Sequence, residues 1–366
     1  MNLRVALQAW LPDDAASGAR TRLLGLLHGL ATIDHDVELH LLAGKATSDE
    51  LVDAARRIAG AAIHRVPIPP WPPWRRVLRE QRHLPVLIGQ LDIDVLDLQS
   101  LPVPRLDRPV VLTVHDLRDF GAYARTWRRV VAPAVMAQAL RRAARIVVPS
   151  PNVRTELAHR FPRSGDRIDV VPAGIARQAA TNGVTRTGFL HVGRPEPRKA
   201  LPFLLEAYAR AARIAPELPE LVLVGPGSFD RTRARAERLG IADRVRIAGA
   251  IDESGLATEI DHAAALVFPS RLEGFGLPVL EAASRGTPSL VATGGATEWL
   301  SGDGGLALPD NPDAWANALV RLHRDHTLRD RLGAAARTRA AGFTTTRSAQ
   351  RLVDVWQRAA SHRRHV

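Results

Sequence analysis

Two carboxylates, two cations and a pair of glycine-bearing turns carry the chemical signal of this sequence. In PSRLEGFGLPVLEAASRG (269–286), Glu273 and Glu281 bracket a turn containing Gly274 and Gly276. Glycine lets the backbone turn tightly and come close to a ligand. Pro278 suits the first turn of a helix, where a missing N–H costs nothing. A helix beginning just after Gly276, with Glu281 in its first turn, would aim free N–H groups and the positive end of its dipole at an anion. Carboxylates beside a phosphate repel it, so Glu273 and Glu281 make better sense as acceptors for sugar hydroxyls on either side of a diphosphate. The plainer alternative is a solvated Glu273 and a Glu281 that only favours its helix start.

A second segment, HVGRPEPRKALPFLLEAYARA (191–211), sets Gly193, Arg194 and Lys199 between a strand and a helix starting near Leu201. Two cations beside a helix start suit a diphosphate. Leu201, Leu204, Leu205, Tyr208 and Ala211 form the buried face of that helix. His115-Asp116 ends the apolar run TVHDL, at a strand end where open α/β sheets bind ligands. Ser17-Gly18-Ala19-Arg20 is a glycine-poor turn, a weak candidate for a phosphate or acceptor loop. Neither a dinucleotide fingerprint nor a P-loop is present. The histidines lack metal-ligand spacing, so no metal site is expected.

The elements that must position these residues alternate along the whole chain. Strands are expected at 3–10, 37–44, 94–100, 109–116, 144–150 and 168–175, then at 188–193, 221–225, 245–250, 264–270 and 287–292, with amphipathic helices between. Such alternation implies parallel sheets covered on both faces. The expected class is α/β, with two doubly wound, Rossmann-like domains facing across a cleft. Residues 1–176 form the first domain, 177–187 a linker, and 188–343 the second. Residues 344–366 form a final helix with Leu352, Val355 and Trp356 on its apolar side. The segment Pro67 to Arg76 is rich in Pro and Trp and is expected to be a stiff surface loop.

The 366 residues are 24% charged and 46% apolar, an ordinary globular composition that excludes disordered and fibrous classes. No apolar run is long enough for a membrane span, and the N-terminus reads as a first strand rather than a signal peptide. Without Cys there is no disulfide, thiolate metal site or Cys nucleophile. A cytoplasmic protein is the expectation. The balance of Lys+Arg 50 against Asp+Glu 38 gives a net charge of +12. Nucleic acid, an anionic membrane or a phosphorylated substrate would each fit it. The arginines spread over both domains without a nucleic-acid-binding motif, which argues against the first. Trp71, Trp74, Arg75 and Arg76 could meet an anionic membrane surface, peripherally and from the cytoplasmic side.

Together these features resemble the retaining glycosyltransferases of family 4, which have the GT-B fold. Glu273 to Glu281 matches the family's E-x₇-E signature, Gly193-Arg194 to Lys199 its G-R-x₄-K loop, and Thr113 to Asp116 its strand-end histidine motif. Gly18-Ala19-Arg20 stands where relatives have a glycine-rich turn, and the final helix, 344–366, is similar to one that in the family packs back toward the N-terminal domain. The resemblance implies that Arg194 and Lys199 neutralise the donor diphosphate. It also implies that Glu281 holds ribose hydroxyls and Glu273 those of the donor sugar. The backbone N–H groups of Phe275, Gly276 and Leu277 would face phosphate or sugar oxygens. Ile251 would meet the base through its backbone, and His115 would lie close to the anomeric carbon. No metal or other cofactor is implied. The phrasing around TVHDL and 267–290 is most similar to the mannosyltransferase branch and favours a GDP-mannose donor, with another GDP- or UDP-hexose as the alternative. The acceptor would be a glycan, a lipid-linked sugar or a small molecule. A GT-B epimerase or phosphorylase is the nearest competing activity.

Overall fold

The computed structural model describes residues 2–11, 18–69, 72–123, 126–176 and 185–361. The chain divides into two compact units, Met1–Ala176 with Phe343–Val366, and Arg177–Gly342. Of the expected linker, 177–184 lie outside the described residues.

The first unit holds strands β1 (Leu3–Gln8), β2 (Val37–Ala43), β3 (Ala62–Arg65), β4 (Val95–Leu98), β5 (Val110–Thr113), β6 (Arg145–Val148) and β7 (Ile168–Val170). They form one parallel sheet in the order β3-β2-β1-β4-β5-β6-β7. Alternate residues of β1 feed opposite faces, as the period of a strand demands. Val5 and Leu7 join a core with helices Gly18–Leu30 and Thr345–Ser361, while Ala6 joins a core with helices Pro73–Gln90 and Thr126–Arg142. The final helix therefore belongs to the first unit. It lies so close to helix Gly18–Leu30 that a Cβ on Gly29 would fall on the Thr345 carbonyl.

The second unit holds β8 (Phe189–Val192), β9 (Leu221–Val224), β10 (Val245–Gly249), β11 (Ala265–Phe268), β12 (Ser289–Ala292) and β13 (Gly305–Leu308). This sheet is also parallel, in the order β10-β9-β8-β11-β12-β13. In each sheet the strand order reverses once, between β1 and β4 and between β8 and β11. Ligands of open α/β sheets bind beyond the strand ends at such a reversal.

The elements differ from the sequence reading at several places. β3 and β13 were not expected: both are edge strands, half exposed, and lack the continuous apolar run that marks an inner strand. The Pro- and Trp-rich segment is not a loop throughout, because a helix begins at Pro73 and continues to Gln90. Proline forbids a helix interior but not its first turn. Glu281 sits in the second turn of helix Leu277–Ser284, one turn further in than expected. Among the described residues no helix is long and apolar enough to cross a membrane.

Candidate active site

At the β8/β11 reversal the chain leaves β8 through Gly193, whose φ of 152° is open to glycine. A Cβ there would meet Lys199 Cε at 3.0 Å, so glycine lets the lysine fold back against the strand end. Lys199 closes the short 3₁₀ turn Pro197–Lys199, and Ala200, at φ 52°, starts helix Leu201–Ile214. The lysine is buried, with Nζ 4.4 Å from the Phe268 ring centroid.

Glu273 faces this lysine from the loop after β11. Its Oε1 accepts three hydrogen bonds: from Lys199 Nζ at 2.7 Å, from Arg198 Nη1 at 2.8 Å and from Ser270 Oγ at 2.5 Å. Its Oε2 takes none. Burial alone would raise this carboxyl, but the Lys199 and Arg198 charges outweigh it and hold it below its ordinary value. Burial pushes the Lys199 ammonium down, and Glu273 opposes that shift. The result is a fixed carboxylate with one oxygen clamped and the other open.

Arg198 was not singled out in the sequence, yet it joins the two loops. It bonds Glu196 Oε2 at 2.7 Å and the Leu272 carbonyl at 3.2 Å, and its own carbonyl accepts from Arg271 N at 2.9 Å. A cation directly before Lys199 was the available signal. Arg194 is exposed, and its side chain has no hydrogen-bond or ion-pair partner among the described residues.

Gly276, at φ 97°, precedes helix Leu277–Ser284, and a Cβ there would lie 2.7 Å from Thr297 Cγ2. The amides of Gly276 and Leu277 have no partner among the described residues, as expected ahead of the first intrahelical bonds. Gly274 and Phe275 are buried, with Phe275 packed edge-on to Trp299 at 6.2 Å. Among the described residues the Glu281 carboxylate has no hydrogen-bond or ion-pair partner. Burial, with Glu253 adding to it, pushes its carboxyl up to about 7. Ile251 is partly exposed beyond β10, next to Asp252, which caps helix Glu253–His262 through Gly255 N at 2.7 Å.

In the first unit His115 follows β5. Its Nε2 is buried and unpartnered. Burial and then the Arg22 charge push the imidazole down to about 4, against Asp116 and a hydrogen bond to the Gln99 backbone, so it is neutral at pH 7. Asp116 is held by Arg118 through bonds of 2.9 and 2.7 Å. Gly18, Ala19 and Arg20 lie in the helix rather than in a loop, and Arg20 pairs with Glu50. Ser17 lies outside the described residues.

The β1/β4 reversal carries a polar network that sequence reasoning missed. Gln8 Nε2 bonds Ser100 Oγ at 2.9 Å, and Gln8 Oε1 accepts from Gln99 N at 2.7 Å. Trp10 Nε1 donates to Glu80 Oε1 at 2.6 Å. Asp97 accepts from Gln99 Nε2 at 2.6 Å and from Trp356 Nε1 of the final helix at 2.7 Å. Burial pushes the Asp97 carboxyl up to about 6 against these bonds and the Arg22 charge. Arg76 belongs to this network, donating to Ser100 Oγ and the Leu101 carbonyl, each at 2.9 Å. It is buried, so it is not the membrane-facing cation expected from the sequence. Trp71 lies outside the described residues. Among the described residues no group of three or more His, Asp or Glu is placed to hold a metal ion.

Two doubly wound units of this kind define the GT-B architecture. The fold is shared with sucrose-phosphate synthase of Thermosynechococcus elongatus (TM-score 0.76, 19% identity, 97% of this chain and 98% of that one). It is shared also with WaaG, a glycosyltransferase involved in lipopolysaccharide biosynthesis (TM-score 0.72, 16% identity, 96% and 99%), and with Anabaena HepE bound to UDP and glucose (TM-score 0.72, 16% identity, 96% and 99%). Residues 16–179 match the model for Glycosyltransferase Family 4, and residues 186–325 that for Glycosyl transferases group 1. A D-inositol 3-phosphate glycosyltransferase of Kineococcus radiotolerans is 30% identical over 300 residues, covering 72% of this chain and 69% of the relative. The chain belongs to glycosyltransferase family 4. Enzymes of the same name from Frankia alni and Streptosporangium roseum are 34% and 32% identical over 59% and 63% of this chain; the matched stretches span 59% and 58% of those relatives' length.

Proposed function

We propose that this protein transfers a hexosyl group from a nucleoside diphosphate sugar to an acceptor hydroxyl, with retention at the anomeric carbon. The observation that carries the reading is the Lys199–Glu273–Arg198 cluster at the β8/β11 reversal, beside the unpartnered Arg194 and the free amides of Gly276 and Leu277. The diphosphate leaving group gains charge as the glycosidic bond breaks. Preorganised cations and N–H groups stabilise that charge where it develops. Arg194, Lys199 and the start of helix Leu277–Ser284 supply both, which supports a metal-independent reaction. The open Oε2 of Glu273 accepts a hydroxyl of the donor sugar, while Glu281 accepts the ribose hydroxyls. The anomeric carbon becomes oxocarbenium-like, and the acceptor attacks from the face the diphosphate leaves. The donor phosphate takes the acceptor proton, and the neutral His115 lines the acceptor side.

Mannose from GDP-mannose is the first donor to test, on the likeness to mannosyltransferases around 267–290. A UDP-hexose is the second reading, favoured by the UDP and glucose bound to the similarly folded HepE. D-inositol 3-phosphate, named in several relatives, is the first acceptor to offer. The reaction is placed in the cytoplasm.

Thermal shift with GDP, UDP and ADP in the presence of EDTA tests the donor site. A nucleotide at about 100 times its dissociation constant stabilises by roughly 2.7 kcal/mol. A shift with GDP supports the mannosyl reading, and one with UDP moves the donor to the second. No shift with any nucleotide overturns the donor site. Product analysis with the matching sugar nucleotide then separates a new glycoside from a released or epimerised sugar.

A further inference from the structure

Two helices of the first unit open with nearly the same sequence. Pro73-Trp74-Arg75-Arg76-Val77 starts helix Pro73–Gln90, and Thr126-Trp127-Arg128-Arg129-Val130 starts helix Thr126–Arg142. Leu84 and Ile88 of the first share a core with Met136 and Leu140 of the second, so both helices cover one face of the sheet. Each returns from the end of a parallel strand, and both therefore begin at the same edge of that face.

At that edge both helices leave apolar groups uncovered. Trp74 is 62% exposed, Trp127 59% and Val130 75%, and Leu78 and Val131 are exposed beside them. All six residues from Thr126 to Val131 are exposed. A soluble surface rarely gathers large apolar groups in this way without a partner. The charge around them has one sign. Arg75 stacks on Trp74 at 5.1 Å and Arg128 on Trp127 at 5.4 Å. Arg79, Arg82 and Arg129 are exposed on the same helices. Helix Thr126–Arg142 contains no Asp or Glu. The one acid of helix Pro73–Gln90, Glu80, is buried against Arg76 and Trp10. Among the described residues, Asp119 is the acid that meets these exposed arginines, 3.2 Å from Arg128.

We propose that the opening turns of these two helices form one surface that docks on an anionic lipid bilayer. Tryptophan suits the boundary between headgroups and acyl chains, where an apolar ring and a polar edge are both satisfied. Arginines beside it are drawn to anionic headgroups, and stable peripheral binding takes both signals. Duplex nucleic acid would meet the arginines but leave Leu78, Val130 and Val131 in water. The proposal stands apart from the donor reading, because none of these residues lies at the β8/β11 site.

The test is co-sedimentation of the full chain with phosphatidylcholine vesicles, with and without phosphatidylglycerol. Two variants are compared, Trp74→Ser/Trp127→Ser and Arg75→Gln/Arg128→Gln/Arg129→Gln. Their melting temperatures and nucleotide-induced shifts should match wild type, since the altered side chains are exposed. Wild type is expected to bind the anionic vesicles, to release in high salt and to bind neutral vesicles weakly. Each arginine removed should cost about fivefold in partition, and the tryptophan pair at least tenfold. Equal binding by both variants overturns the proposal, as does a wild type that ignores anionic vesicles. Binding to duplex DNA without binding to vesicles would assign the surface to nucleic acid instead.

Discussion

The two strand-order reversals share one topology and differ in how their polar groups are satisfied. At β8/β11 three donors crowd a single oxygen of Glu273, leaving the other oxygen, the Arg194 side chain and two amides without partners among the described residues. At β1/β4 the polar groups mostly satisfy one another: Gln8 with Ser100 and Gln99, Trp10 with Glu80, Asp97 with Trp356. On the proposed reading the first site receives the charge of the donor diphosphate. The second is a braced frame, and the buried side-chain atoms it leaves unpartnered among the described residues include His115 Nε2, Thr113 Oγ1 and Arg22 Nε. The difference teaches that binding capacity here lies in unsatisfied groups held rigid by satisfied neighbours, rather than in polarity as such.

The comparison breaks most visibly at Glu273 and Lys199. Glu273→Gln keeps the shape and removes the charge; turnover should fall on the order of 100-fold, and melting should fall too, because the buried Lys199 loses its counter-charge. Lys199→Ala removes one of the two cations on the Glu273 carboxylate and leaves Arg198 and Ser270 in place, so it should cost about 1–3 kcal/mol of stability besides the loss of turnover. Steady-state kinetics and denaturant unfolding read the two effects. Near-normal transfer by either variant removes the cluster from catalysis.

Packing of the first unit gives the next effect. Gly29→Ala would press a methyl onto the Thr345 carbonyl and should destabilise by about 1–3 kcal/mol. Gly89→Ala, with open space around it near the end of helix Pro73–Gln90, should instead gain about 0.5–1 kcal/mol. Urea midpoints of the two variants should move in opposite directions.

A similar loss is expected at the tie between Asp97 and the final helix. Trp356→Phe removes the donor to Asp97 Oδ2 and should cost about 1–3 kcal/mol. The Asp97 carboxyl already stands above its ordinary value, so the folded state loses stability as pH rises from about 3.8 to about 6. Losing a bond to the ionised form raises that carboxyl further and extends the decline to higher pH. The variant should therefore be hurt more at pH 8 than at pH 5. An equal loss at both would show that Trp356 acts by packing alone.

The smallest effect sharpens the donor side. Glu281 carries the same sign: its contribution to stability falls as pH rises from about 4.5 to about 7. Glu281→Gln should flatten this slope, matching wild type below pH 5 and exceeding it slightly at pH 8, while weakening nucleotide binding. A melting curve against pH, with and without nucleotide, checks both halves. An unchanged slope would place the titration elsewhere.

The site of the second unit was legible because its residues are close in sequence and obey local rules. Gly193 to Lys199 and Glu273 to Leu277 each form one strand–turn–helix passage, where turn chemistry and helix capping leave a readable pattern. Arg198 escaped notice because a cation beside another cation reads as solvated charge until a carboxylate from 75 positions away meets it. The first unit hid more. Gln8, Trp10, Glu80, Asp97 and Trp356 follow no spacing rule, and the bond from Trp356 to Asp97 spans 259 positions. Edge strands β3 and β13 were missed because half-exposed strands need no apolar run.

By itself the sequence determined the alternation of strands and helices, the α/β class, the passages that carry Glu273 and Lys199, and membership of a family of recognisable motifs. All of these follow from short-range periodicity and local turn chemistry. The tertiary structure decided which oxygen of Glu273 stays open and that Arg76 is buried while Arg75 is exposed. It also decided that two Trp-Arg-Arg-Val turns share one edge of a sheet. Each of these depends on which distant segments meet, and long-range contact leaves no period in a chain for the eye to find.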